Sequence, residues 1–154
     1  MVLLRCLFVF LLALTALGAQ QRPSNVETML REAGALVQGG RLEEAEAGRR
    51  KIITTHPRNA EAHSLLGVIL DQRGQSAEAE KEYGAALRLQ PKLVSALSNL
   101  GVLLARTNRS AEAIAKFEEV LKIDPKHDGA IFNLGALYAA RGDYDRAVPL
   151  LEKA

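Results

Sequence analysis

The sequence predicts an all-α fold, an α-solenoid of tandem helix-turn-helix hairpins. Small residues, prolines and turn-forming residues recur with a fixed step of 34 residues. The positions are Ala45, Ala79, Ala113 and Ala147; Pro57, Pro91 and Pro125; Gly67, Gly101 and Gly135; and Gly40, Gly74, Asn108 and Gly142. A fixed period of this size is typical of a repeat architecture. The composition agrees, because 48% hydrophobic residues with only 5% aromatic and no Trp favours helices rich in Ala and Leu.

The N-terminal residues 1–18 have the pattern of a secretory signal peptide. One basic residue, Arg5, precedes the apolar run Cys6–Leu17, and small residues follow at Gly18 and Ala19. We expect cleavage after Gly18, although Ala16 or Ala19 could also end the leader. The chain is then exported, to the periplasm or out of the cell, and residues 19–25 form a linker.

Residues 1–18 have two alternative interpretations, a retained membrane anchor and a lipoprotein signal. Counted from Cys6 to Ala19, the apolar run is about 14 residues, whereas a membrane-spanning helix needs roughly 20, so a retained membrane anchor is the minority interpretation. A lipoprotein signal is less compatible still, because Cys6 precedes the apolar run and follows a charged Arg5. Cys6 is the sole cysteine of the chain, so removal of the leader excludes a disulfide framework.

The first helix of each hairpin is predicted from apolar spacing. In the segment 94–127 the apolar face consists of Leu97, Leu100, Gly101 and Leu104, at spacings of three and four. This helix should end near Thr107, because the next residue is one that tolerates a left-handed backbone. Glycines occupy the equivalent position in the other three segments, so the same tight turn is expected four times.

The second helix of the same segment is predicted to start near Ser110, used as an N-cap, and to end before Pro125. Its apolar face contains Ala113 and Phe117. Small residues at Gly101 and Ala113 would let the two helix axes approach closely. In the last segment Pro149 falls about five residues into the second helix, where it should kink that helix or cost ~3 kcal/mol.

These residues resemble the tetratricopeptide repeat (TPR) family, whose pattern is a large residue, Leu-Gly, a large residue, Ala, a large residue and Pro. Three segments carry it nearly in full: 60–93, 94–127 and 128–154, the last incomplete. The segment 26–59 is degenerate, since Glu32 replaces the Leu and Arg49 replaces the aromatic residue. Terminal repeats are often atypical because one face meets water, so this segment fits a cap.

The resemblance implies a right-handed superhelix whose first helices line a concave groove for a peptide or a partner helix. It therefore implies a scaffold or adaptor protein and not an enzyme. The groove positions that we select as the partner-binding site are Ser64, Val68, Asp71, Gln72, Ser98, Asn99, Val102, Arg106, Phe132, Asn133 and Ala136. This lining is mostly small and weakly polar, and it becomes apolar around Phe132.

Two binding modes of the family were compared with that lining. A carboxylate clamp needs cations, but Ser64, Ser98 and Phe132 occupy the matching positions, so that mode is disfavoured. A ladder of asparagines could hydrogen-bond an extended peptide, and Asn99 and Asn133 match its register. We favour the simpler interpretation that these asparagines bond helix backbone nearby.

Other chemistry is not evident in the sequence. The three histidines are scattered and predict no metal or other cofactor, and His63 occupies a slot where packing is the expected role. A formal charge of +2 without a basic stripe argues against a nucleic-acid partner. The triplet Asn108-Arg109-Ser110 matches a glycosylation acceptor, but a turn followed by an N-cap explains it more simply.

The fourth segment stops at Ala154, short of a full repeat and without a polar capping helix. We expect either a fragment of a longer protein or an apolar end covered by a partner or by self-association. The first possibility keeps an alternative function open, in which the repeats are the N-terminal docking segment of a larger exported enzyme, such as a protease or a glycosyltransferase. A third possibility is a structural array that assembles with itself.

Overall fold

The structure, a computed structural model, describes residues 25–153 and shows eight α-helices and no strand in that range. The predicted signal peptide 1–18 lies outside the described residues. The helices are α1 Asn25–Gln38, α2 Leu42–Thr55, α3 Ala60–Gln72, α4 Ser76–Leu89, α5 Val94–Arg106, α6 Ser110–Ile123, α7 Asp128–Ala140 and α8 Tyr144–Leu151. Asn25, which the sequence assigned to the linker, is already the first residue of α1.

Consecutive helices form four hairpins that stack in chain order. Within the described residues, each second helix also packs against the first helix of the following hairpin, as α6 does against α7. First helices contact one another from hairpin to hairpin, whereas second helices do not. The predicted solenoid of tandem hairpins is confirmed, with the first helices forming one layer and the second helices the other.

The tight turn within each hairpin has the predicted backbone conformation. Gly40, Gly74 and Gly142 have φ of +72°, +76° and +76°, and Asn108 has φ 63°. In the third hairpin the Asn108 N–H donates to the Ala105 carbonyl at 3.2 Å, which satisfies one of the last carbonyls of α5. The turn thus recurs four times, as the 34-residue period predicts.

The predicted N-cap at Ser110 is wrong. Ser110 is the first residue of α6, and Arg109 precedes it without a side-chain capping bond. The Arg109 guanidinium instead bonds the carboxylates of Glu112 and Glu80, at 2.6–2.8 Å. The start of α6 therefore has no side-chain cap, and the ion pairs of Arg109 join its first turn to the preceding second helix.

In the last three hairpins, a glycine of the first helix receives a large side chain from the second helix of the same hairpin. A Cβ atom on Gly101 would lie 2.9 Å from ring carbons of Phe117, and one on Gly67 would lie 2.6 Å from the Tyr83 ring. Leu151 fills the same place against Gly135. Because the mid-helix glycines have no Cβ, these side chains can lie directly on the helix backbone.

The first hairpin has neither the glycine nor the large apolar side chain at these two positions. Its first helix has Ala33 where the others have glycine, and its second helix has Arg49 where the others have Tyr83, Phe117 and Leu151. Arg49 is fully buried and its Nη2 donates to the Leu30 carbonyl at 3.1 Å. No described residue accepts a bond from its Nε or Nη1.

The last helix is shorter than the other second helices. α8 contains eight residues, including Pro149, whereas α6 contains 14. Pro149 has no N–H to donate to the Asp145 carbonyl, and the helix ends two residues later. Among the described residues, no helix has both the length and the apolar character that crossing a membrane requires.

Candidate functional site: the inner layer of first helices

The inner surface of the solenoid is formed by the first helices. Elements that touch their equivalents in successive repeats lie on the inside of a curve, and elements that do not lie on the outside. Here α3, α5 and α7 contact one another in sequence, whereas α4, α6 and α8 do not. We call the surface of these first helices the groove, and the predicted partner-binding residues all come from them.

Two hydrophobic side chains stand out on the groove. Phe132 of α7 is 57% exposed and Val102 of α5 is 40% exposed, although both side chains are apolar. Ala136 and Gln72 are exposed as well, and Val68, Ser98 and Asn99 are half-buried. With Asn133, which is also half-buried, eight of the predicted positions therefore reach the surface without a charge.

Ser64 is the one predicted residue that the fold removes from the surface. It is only 4% exposed, and its Oγ lies 3.4 Å from the Oγ of Ser95 on the next first helix. The equivalent position in the last hairpin is Phe132, which no following first helix covers in the described part of the chain. Ser64 thus contributes to contact between helices and is not an open binding position.

The two charged groove positions form an ion pair. A guanidinium nitrogen of Arg106 on α5 donates to the carboxylate of Asp71 on α3. The sequence placed both residues on the groove but did not predict their contact. The available signal was opposite charge at adjacent positions of neighbouring repeats. The two charges offset each other, and the pair ties two successive first helices together.

The asparagines differ from each other. Asn133 donates its Nδ2–H to the Gly129 carbonyl of its own helix at 2.6 Å, which agrees with the interpretation that it bonds backbone nearby. The side chain of Asn99 makes no hydrogen bond with a described residue, and it is half-buried on the groove. Asn99 is therefore the asparagine that remains able to bond a peptide.

Outside the groove, the histidine and tyrosine side chains that could take part in catalysis or binding have structural roles. The Nδ1 of His63 lies 2.7 Å from Glu82 and its Nε2 lies 3.2 Å from the Pro57 carbonyl, so the half-buried ring joins α3 to α4 and to the preceding loop. Burial raises the pKa of the Tyr83 hydroxyl, with a further contribution from nearby Asp71. The described residues contain no group of His, Cys, Asp and Glu side chains suited to a metal ion.

Comparison with protein-family models identifies the family to which this fold belongs. Models described as tetratricopeptide repeat match residues 49–92 and 69–128, and a second such model matches 104–154. The chain belongs to the tetratricopeptide repeat family. Proteins of this family are typically non-catalytic scaffolds for protein–protein interaction. A comparison with curated proteins finds no match.

Solved structures of other TPR proteins have the same fold. A crystal structure of MamA is 25% identical, with a TM-score of 0.75 over 86% of this chain and 77% of that one. PilF of Pseudomonas aeruginosa is 25% identical, with a TM-score of 0.78 over 83% of this chain and 59% of that one. A tetratricopeptide repeat protein of Parabacteroides merdae is 24% identical, with a TM-score of 0.72 over 83% and 51% of the two chains.

Proposed function

We propose that this TPR protein is an exported scaffold that binds a peptide or helix of a partner protein in its groove. The observation that carries the proposal is the exposure of Phe132 and Val102 on an inner surface whose other predicted binding residues are uncharged, apart from the paired Asp71 and Arg106. Exposed apolar side chains on a concave surface gain free energy when a partner covers them. The remaining lining of serine, alanine and valine leaves room for a partner backbone to approach.

The groove favours a partner segment with few charges. Asp71 and Arg106 already neutralise each other, so no free cation among the predicted groove residues would attract an acidic peptide. Asn99 can supply a directional hydrogen bond beside the apolar contacts. We infer an apolar anchor on the partner at Phe132 and Val102, with a backbone or amide group near Asn99.

Affinity capture from the native envelope or secretome tests this function. We expect partner proteins that the unchanged chain retains and that a Val102→Asp variant or a Phe132→Asp variant loses. Leu89→Asp is the matched control, because Leu89 is exposed to a similar extent at the end of α4, outside the groove. Equal capture by all three variants, or none by the unchanged chain, would reject the groove as the binding surface.

Export is tested separately, at the N-terminus. Sequencing of the protein from the native cell should give Ala19 as the first residue, in the periplasm or the medium. Intact protein that begins at Met1 in the cytoplasm would contradict export and leave the groove proposal standing.

A further inference from the structure

The first helix of the first hairpin, α1, is held by few apolar contacts. Among the described residues of α1, Leu30 is the one large apolar side chain that is buried, whereas α3 buries three. Leu30 forms a small cluster with Ile52 of α2 and Ala62 of α3, and Val26 and Met29 are partly buried against it. This cluster is separate from the main core, which the last three hairpins form. Because apolar burial supplies most of the free energy of packing, α1 is held less firmly than α3.

Glycines weaken α1 further without a packing reason. A Cβ on Gly34 would meet no atom within 4 Å, whereas one on Gly67 or Gly101 would collide with a ring. Glycine in a helix is less stable than alanine, and at Gly34 no contact offsets this cost. The turn into α2 contains two adjacent glycines, Gly39 and Gly40, where the other three turns contain at most one. Adjacent glycines have a wide choice of backbone angles, so this turn suits a hinge.

The buried guanidinium of Arg49 extends from α2 to α1. Its Nη2 donates to the Leu30 carbonyl of α1 at 3.1 Å, and no described residue accepts a bond from its Nε or Nη1. A buried donor without an acceptor costs free energy, which hydration recovers. Movement of α1 away from α2 would expose both nitrogens to water. The contact that α1 covers therefore opposes the closed position of α1.

The second helix of this hairpin has attachments that α1 does not share. Glu46 of α2 forms an ion pair with Arg73, which directly follows α3. Ile53 of α2 packs against the main core as well as the small cluster. Movement of the whole hairpin would keep Arg49 enclosed between α1 and α2. Separation of α1 alone hydrates Arg49 and leaves these attachments in place.

We propose that α1 is a lid, which detaches at the Gly39–Gly40 turn while α2 to α8 remain folded. A helix of 14 residues is marginally stable in water, so α1 loses its helical structure when it detaches. The open form hydrates Arg49 and uncovers Ile52 and Ala62. Weakly packed elements open at a smaller cost than global unfolding, so the open form is a minor state of the folded protein. The lid does not depend on the proposed function of the groove.

Amide hydrogen exchange of the full chain, followed by mass spectrometry, measures the opening of each helix. We expect the amides of α1 to exchange at least tenfold faster than those of α2 and α3. Arg49→Met removes the two nitrogens that lack acceptors and should slow exchange in α1 at least tenfold. Circular dichroism confirms that each variant is folded.

Two glycine variants distinguish the lid from global unfolding. Gly34→Ala should slow exchange in α1 about fivefold, because alanine favours the helix. Gly84→Ala makes the same change on α4, where a Cβ would meet only Arg88 Nη1 at 3.5 Å. It should slow exchange in α4 and leave α1 unchanged, because the lid opens while α4 stays folded.

Labelling of introduced thiols gives a second measurement. Ala62 belongs to the same cluster as Leu30, and Ala96 holds the equivalent place on α5, which α1 does not contact. Both alanines are fully buried. In the full chain, Ala62→Cys should react with iodoacetamide at least tenfold faster than Ala96→Cys, with peptide mapping to separate the reaction of Cys6. Adding Arg49→Met should slow labelling of the Ala62→Cys variant at least tenfold.

Four results would overturn the proposal. They are equal exchange in α1 and α3, a common exchange rate for α1 and α2, equal labelling of the two thiols, and no slowing of either measurement by Arg49→Met. A common rate for α1 and α2 would show that the whole hairpin opens as a unit. None of these measurements involves the groove, so loss of partner capture by Val102→Asp is independent of their outcome.

Discussion

At the scale of single residues, close packing between a glycine and a ring fixes the geometry of each hairpin. The ring of Phe117 lies where a side chain on residue 101 would have to be. Interiors of this density do not absorb an extra side chain without displacing their neighbours. Glycine lowers the stability of the helix by ~1 kcal/mol relative to alanine, and the contact with the ring offsets this cost.

We predict that Gly101→Leu destabilises the protein by ~1–3 kcal/mol through overpacking. Urea unfolding followed by circular dichroism measures the change. Gly84→Ala is the control, because a Cβ there would meet only Arg88 Nη1 at 3.5 Å, an ordinary contact. That variant should be neutral or more stable by ~0.5–1 kcal/mol. Equal stabilities for the two variants would contradict the packing explanation.

Arg49 is the clearest departure from the repeat pattern. Desolvation lowers the pKa of its guanidinium to about 10, since only the Leu30 carbonyl accepts a bond from it. We predict that Arg49→Met is neutral or stabilising, by up to ~4 kcal/mol, because no buried charge remains. Thermal melts compare it with Arg58→Met, an exposed site where we expect little change.

The pH dependence of this difference follows from the sign of the shift. The folded chain holds the Arg49 proton less tightly than the unfolded chain does, so burial of the charge is unfavourable at all pH values below about 10. As the pH rises above 10, the folded state releases that proton first. The advantage of Arg49→Met should therefore be constant from pH 6 to 9 and should decrease above pH 10. An advantage that grew with pH would refute this account.

At the scale of elements, the second helices differ mainly in how they end. α6 continues to Ile123, and α8 contains Pro149 and ends at Leu151. Because Pro149 has no backbone N–H, the Asp145 carbonyl lacks the hydrogen bond that residue 149 would otherwise donate to it. The helix tolerates Pro149 because this residue is exposed and lies two residues before the end of α8.

We predict that Pro149→Ala stabilises the protein by ~1–3 kcal/mol by restoring that backbone bond. Ala115→Pro makes the reverse change at the equivalent exposed position of α6 and should cost ~3 kcal/mol or more. Chemical denaturation of both variants gives the comparison. A loss of stability in Pro149→Ala would mean that the locked φ of proline contributes more than the missing bond.

At the scale of the whole molecule, the first and last described hairpins differ in the side chains that they expose. Glu32 is exposed on α1, and its equivalents Leu66, Leu100 and Leu134 are buried. Val148 and Leu151 of the last described helix are exposed. Among the described residues, the first hairpin therefore presents a carboxylate where the other three hairpins have a leucine, and the last hairpin presents apolar side chains.

We predict that Glu32→Leu makes the chain associate head to tail. The new leucine would complete a surface like that of α7, and the contact is heterologous, so it does not close at two copies. Light scattering should show a mass that increases with concentration without a plateau at the dimer. The double variant Glu32→Leu/Val148→Glu should remain a monomer, and association that persists in it would place the contact elsewhere.

The repeat period alone determined the number of hairpins, the positions of the left-handed turns and the role of the mid-helix glycines. These features follow from local backbone preference and from helical spacing, and both can be read from a short stretch of sequence. The tertiary structure decided which of the repeated positions are accessible. Ser64 and Phe132 hold the same place in their repeats, yet one is buried by the next helix and the other is exposed. The ion pair of Asp71 with Arg106 likewise depends on which hairpin lies alongside, and spacing within one segment does not encode that.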